Sequence, residues 1–394
     1  MKWVYETSRR LGVVGIRFVG CWRSGLLVLL ASATMTASAA DWPLFRGNSA
    51  QTGFINEPLA MNYTLTWTYR TGRMCTSPVV ANGIAVVGSG DGKVHAVNLK
   101  DGSARWTFDL GAEIEGSPAI HNGQVVIGST EGKVVCLSLT DGALRWETKA
   151  GDKISGAVTI YSTNETTRVL VGSYDNNVYC FELVDGKKVW AYETQSYVNG
   201  TPAITTLNQE AVAVVGGCDA KLHVIKLADG KAIREIEVSA YVASSLACNN
   251  GQAITGHYGN EVISAELATG ATLWTYKEKN FPFFSSPAVS AAEVVIGGRD
   301  RRLHCIDRTT GKVRWVFAAR GNVDGSPIIG GNHTLVGSDD GRIYLIDLAT
   351  GKEAWSYEIG DKISGSPAVV GKQFLVGCDD GGLYAFTAVT KESP

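Results

Sequence analysis

Residues 325–355, GSPIIGGNHTLVGSDDGRIYLIDLATGKEAW, decide the fold. Ser326-Pro327 leads into the short apolar strand Ile328-Ile329, and a second run closes in Gly337. The turn at Asp340-Gly341 opens an alternating strand, Arg342-Ile343-Tyr344-Leu345-Ile346. Thr350-Gly351 then turns the chain into a last strand carrying Trp355. Four short strands with tight turns and no helical period describe one antiparallel sheet. Glycine suits these turns because it accepts positive φ without a Cβ clash.

The same order recurs along the chain. Trp stands at 67, 106, 146, 190, 274, 315 and 355, Arg234 fills the one missing place, and the steps lie between 39 and 44 residues. Ser77-Pro78, Ser117-Pro118, Thr201-Pro202, Ser286-Pro287 and Ser366-Pro367 repeat the lead-in, and Asp101-Gly102, Asp141-Gly142, Asp185-Gly186, Asp229-Gly230, Thr269-Gly270 and Thr310-Gly311 repeat the turn. A four-stranded sheet of this size cannot bury both faces alone, so the units must stack on one another. The expected fold is all-β, an eight-bladed β-propeller of four-stranded antiparallel blades. The last unit, 365–390, lacks its own Trp strand, while 64–70 is a Trp strand without a unit. Joining them completes the eighth blade and removes an exposed edge. An open array or a seven-bladed ring is the competing arrangement.

Residues 1–40 hold Lys2, Arg9, Arg10, Arg17 and Arg23 against Glu6, then the apolar run 25–33 and the small residues 34–40. That is the order of a cleavable export signal, with a retained anchor as the alternative. The expected division is a signal peptide at 1–40, a leader at 41–63, one propeller at 64–390 and a tail at 391–394. The product is expected in the periplasm or outside the cell. With a formal charge of −2 overall and +4 in the first 40 residues, the remainder carries −6. A mildly acidic body argues against a nucleic-acid partner. The 46 Gly against only 10 Pro, without a collagen period, leave an ordinary globular composition.

The repeat, with Gly-Ser-Pro, Val-Gly-Ser-x-Asp-Gly and Thr-Gly-Lys-x-x-Trp, resembles the pyrroloquinoline-quinone (PQQ) repeat over residue 64 to about 389. The leader Asp41-Trp42-Pro43-Leu44-Phe45-Arg46-Gly47 is similar to the opening of exported bacterial propellers of this kind. The resemblance implies either a quinoprotein dehydrogenase, with PQQ and Ca²⁺, or a non-enzymatic scaffold of the BamB type. Dehydrogenases of the family carry adjacent cysteines and long insertions between blades. This chain has no Cys-Cys pair, no Cys-x-x-Cys-His, and minimal units. The expectation is a non-catalytic envelope scaffold that binds a protein or an extended polypeptide, without cofactor or metal. The alternatives are the PQQ enzyme and a carbohydrate-binding propeller.

Other chemistry-bearing residues have bland explanations. Asp91, Glu131, Asp175, Asp219, Asp300, Asp340 and Asp380 share one turn position, broken by Gly259, and are expected to cap their own turns. His95, His223 and His304 alternate with Tyr179, Tyr344 and Tyr384, which suggests a semi-polar packing slot, whereas His121, His257 and His333 fall in turns. Seven cysteines follow residue 40, and their scatter, one to a unit, suggests unpaired core thiols. The least repetitive loops are 192–199, 238–244, 257–260 and 276–284. They nominate Tyr197, Asn199, Tyr241, His257, Tyr258, Phe281, Phe283 and Phe284 as partner-binding residues on units four to six.

Overall fold

A computed structural model describes residues 41–389. The signal-peptide expectation for 1–40 and the tail 391–394 lie outside the described residues. The repeats fold into eight antiparallel sheets of four strands, and one sheet gains a fifth strand. The blades comprise, in order, 79–109, 119–149, 159–193, 203–237, 247–276, 288–318, 328–358, and 368–388 together with Tyr63–Arg70.

The ring closes as the sequence predicts. Tyr63–Arg70 pairs antiparallel with Gly382–Ala388 from Tyr63 opposite Ala388 to Arg70 opposite Gly382. Arg70 holds Asp380, and the Thr66 and Thr387 hydroxyls bond across the pair at 2.7 Å. The chain ends therefore share one blade.

Tryptophans join each blade to the next. The Trp67 indole N–H donates to Leu99 O at 3.0 Å, Trp106 to Leu139 O at 2.8 Å and Trp146 to Leu183 O at 2.7 Å. Trp190, Trp274 and Trp315 repeat this with Leu227, Arg308 and Leu348. Arg234, standing in for Trp, reaches Ala268 O with its guanidinium at 2.9 Å. Each ring lies on the glycine of the neighbouring blade's last turn. A Cβ on Gly102, which has φ +70°, would sit 2.5 Å from Trp67. Glycine is thus required twice over, by its backbone angle and by the indole above it. Trp355 faces the seam, where the described residues form no such turn, and packs instead on Tyr63, Phe374 and Phe386. In all eight blades the outer strand bulges at the residue before the Trp position, as at Arg105, Arg145 and Arg314. Nothing in the residue pattern of the repeat marks this bulge, which increases the local twist.

The leader is part of the core. Trp42 pairs with Val80 in the first blade, and the Pro43 carbonyl accepts from Ile120 in the second. The carbonyls of Ser49, Ala50, Thr52 and Gly53 then accept from Ile204, Cys248, Val289 and Ile329 in blades four to seven. Phe54–Ile55 runs parallel to the inner strand of the seventh blade. The leader thereby satisfies inner-strand amides that would otherwise line a bare axial channel.

Candidate functional site

The channel is built in layers from equivalent residues of successive units. Its wall is a girdle of Ser77, Ser117, Ala157, Thr201, Ser245, Ser286, Ser326 and Ser366, all buried. Each residue begins an inner strand beside a proline or small residue, so the blades approach closely here. The girdle knits blade to blade. The amide of Ala157 donates to the Thr201 hydroxyl at 2.9 Å, Thr201 to Ser245 at 2.9 Å, Ser245 to Ser286 at 3.2 Å and Ser286 to Ser326 at 2.9 Å. Ser366 donates to Ser77 in the same way at 2.8 Å, across the seam.

Beneath the girdle the channel is blind. Phe45 forms its floor, leaving a cavity of about 200 Å³ open on one side. Below Phe45 the fully buried Arg46 donates to Pro327 O at 2.6 Å and Pro287 O at 2.7 Å, the carbonyls that follow two girdle serines. Its Nε has no partner, and burial pushes its pKa down to about 9. Gly53, with φ +57°, lies against this guanidinium, where a Cβ would be 2.2 Å from Nη2. Gln51 reaches the third blade through the Thr159 hydroxyl at 3.3 Å.

Above the girdle, the residue before each lead-in differs from blade to blade. Glu115, Ser155, Asn199, Ala243, Phe284 and Ser364 line the mouth. Asp324, at the same repeat position, is held aside by Arg299 at 2.9 Å. Glu115 is pinned by Lys153 at 2.8 Å and by the Ser155 hydroxyl at 2.6 Å. Asn199 bonds Cys218 through its amide nitrogen, while its buried Oδ1 has no partner.

The nominated residues separate into two groups. Tyr197, Tyr241, Tyr258 and Phe281 are 48–57% exposed, too open to be core. Tyr258 leans on Phe284 at 4.6 Å and on Tyr241 at 6.3 Å, and the Arg299 guanidinium lies 4.0 Å over Phe284. Tyr197 stacks on Tyr174 at 5.0 Å, with Lys153 over the Tyr174 ring. An aromatic rim thus runs along blades three to six beside the mouth. His257 and Phe283 are corrections, because both are buried. Phe283 fills the slot beside Gly256 that Ile114 fills beside Gly88. His257 closes the strand Gln252–His257 rather than a turn, and its Nδ1 accepts the Gly259 amide at 3.0 Å. His121 and His333 likewise belong to strands, Ala119–His121 and His333–Gly337. Tyr174, Arg299 and Arg46 were missed. Tyr174 and Arg299 occupy the second hairpin turn of their units, and comparing that one position across units would have raised them.

Five of the seven acidic turn residues cap their own turns, whereas at Glu131 the Ser129 hydroxyl takes the turn amides and Asp300 holds the His304 ring at 3.1 Å. Asp91, Asp175, Asp219, Asp340 and Asp380 accept the amide two residues on at 2.8–3.2 Å. Their other oxygens take Tyr344 at 2.8 Å, Tyr384 at 2.6 Å or His223 at 2.8 Å. Tyr192 and Tyr276 hold the second nitrogens of His223 and His304 at 3.1 and 2.9 Å. With both nitrogens engaged, these rings are orienting groups rather than free bases or ligands. The seven cysteines of the described residues are free thiols, six of them buried. Burial pushes the Cys136, Cys180 and Cys305 thiols up to about 12, so they stay protonated.

Eight stacked four-stranded blades, closed by the leading Trp strand around a blind polar channel, define a PQQ-repeat β-propeller. The chain belongs to the family described as outer membrane protein assembly factor BamB, which matches it over residues 62–113, 90–258 and 258–390. Among curated proteins none matches the sequence. BamB from Moraxella catarrhalis superposes with a TM-score of 0.69 at 17% identity, covering 83% of this chain and 100% of that one. A europium-containing methanol dehydrogenase gives 0.72 at 14% identity over 88% and 98%, respectively. The quinohemoprotein alcohol dehydrogenase of Comamonas testosteroni gives 0.73 at 14% identity over 91% and 82%. At such identities the likeness is one of fold, and it does not separate scaffold from enzyme.

Proposed function

We propose that this protein is a non-catalytic binding propeller of the cell envelope, exported by a signal in residues 1–40, that takes an extended polypeptide across the channel mouth on blades three to six. The observation that carries this reading is the exposed aromatic rim of Tyr197, Tyr241, Tyr258 and Phe281 beside a mouth whose lining changes from blade to blade. Aromatic side chains with large exposed faces favour protein contacts, since they bury much area at little entropic cost. Membership of the BamB family and the fold shared with the Moraxella catarrhalis protein support an envelope partner.

The chemistry of the channel wall supports this reading over a quinone enzyme. A planar tricarboxylate quinone with its divalent cation calls for cationic side chains and several carboxylate or amide oxygens around one cavity. The wall offers hydroxyls, backbone, Asn199, and one carboxylate, Glu115, already bound to Lys153 and Ser155. Those residues do not fit that group.

The test is titration of the purified protein with labelled, unfolded segments of outer-membrane β-barrel strands. Saturable binding is expected, weakened about tenfold or more in Tyr241→Ala/Tyr258→Ala, in line with the loss of a hot spot. Failure of every segment to bind, together with saturable binding of PQQ plus Ca²⁺ and dye reduction by alcohols, would overturn it.

A further inference from the structure

The blind end of the channel is lined with hydroxyls. The hydroxyls of Ser77, Thr201, Ser245, Ser286 and Ser326 each accept a backbone amide from the neighbouring blade. One lone pair of each is thereby engaged, and none donates its proton to a protein acceptor among the described residues. The girdle therefore keeps unpartnered hydroxyl protons to offer a ligand on the axis. Independently, the buried Arg46 beneath it has carbonyl partners and no carboxylate among the described residues, with Nε left over. An uncompensated cation in a low-dielectric interior is costly, and an anion nearby would relieve it. Phe45, the residue before Arg46, lines the cavity, whose volume is about 200 Å³.

We propose that this blind end is a carboxylate socket, filled by the C-terminal carboxylate of the polypeptide that lies across the mouth. This rests on the polypeptide-binding reading above and deepens it. A cation would meet the like charge of Arg46, and a neutral apolar group would strand the hydroxyl protons. A carboxylate accepts from several hydroxyls at once. Asn199, one layer higher, lines the mouth, and its buried Oδ1 has no protein partner. Glu115, the carboxylate of the mouth lining, is neutralised by Lys153 and so repels an incoming terminus little.

The test compares a short aromatic-rich peptide ending in a free carboxylate with the same peptide as its C-terminal amide, by calorimetry on the unaltered protein. The acid is expected to bind about tenfold or more tightly, the scale of a charge-assisted hydrogen bond. In Ser245→Ala/Ser286→Ala, the acid should lose more affinity than the amide, so that the gap shrinks. Equal binding of acid and amide overturns the socket and leaves the polypeptide reading standing. Saturable binding of phenylacetate with neither peptide retained overturns the chain terminus as the source. Binding of none of the three overturns both readings.

Discussion

The amide of Ser366 donates to the Ser77 hydroxyl at 2.8 Å, joining residues 289 apart in sequence. This is the same bond that links Thr201 to Ser245 inside the ring. The seam is therefore made like every other blade boundary, and the two chain ends must be stabilised together.

Trp67→Ala is expected to cost about 3–5 kcal/mol, as for emptying a large aromatic core site. Trp67 is buried, bonded to Leu99 and seated on Gly102, although it stands in the first strand of the chain's blades. Urea unfolding checks this. An unchanged midpoint would mean that Tyr63–Arg70 does not close the ring.

Two glycines with nearly the same backbone angle separate strain from crowding. Gly83→Ala, at φ +73° with nothing within 4 Å of its Cβ, is expected to cost about 1 kcal/mol from backbone strain alone. Gly102→Ala adds a collision with the Trp67 ring and should cost about 1–3 kcal/mol more, the range for overpacking. Thermal unfolding of the pair reads the difference directly.

Acid should weaken the fold before the carboxylates titrate. Burial lowers the pKa of His95 and His257 below the ordinary 6.5, so the folded state favours the neutral ring. Their contribution is whole above about pH 6.5 and is lost as pH falls toward the depressed folded values, because the unfolded chain takes up protons first. Each such proton adds a slope of up to about 1.4 kcal/mol per pH unit. Urea midpoints between pH 8 and 5 check the fall, and His257→Gln should flatten part of it.

Native thiol labelling should single out Cys218. It is the one half-buried cysteine of the described residues, the other six being buried. Peptide mapping after brief alkylation should find Cys218 modified first, with Cys75 and Cys248 labelled only after unfolding.

Much of the architecture could be read from the sequence because each blade repeats its own instructions. Trp106, Asp141-Gly142 and Ser117-Pro118 recur in register, so each position is seen several times. The same logic, pressed further, would have placed Phe283. It stands where other units carry Ile114, Ile154, Val198 or Val323, all buried. Likewise His257 occupies the position of Ser89, Ser129 and Ser338, each also buried. Aromatic and polar character drew both residues to the surface in the sequence reading, but their place in the repeat decided otherwise. The leader could not be read this way. Arg46 and Gln51 have no repeat counterpart, and their roles come from carbonyls and hydroxyls that only the closed ring assembles.

The central claim, that the mouth face binds a polypeptide, is tested most directly by site-specific photo-crosslinking in the cell envelope. A benzophenone side chain would be placed at Tyr258 or Tyr197, and at the exposed Leu144 of an outer strand as control. Discrete polypeptide adducts from the two mouth positions and none from Leu144 are the predicted result. Adducts from Leu144 alone, or none from either tyrosine position, would contradict the claim.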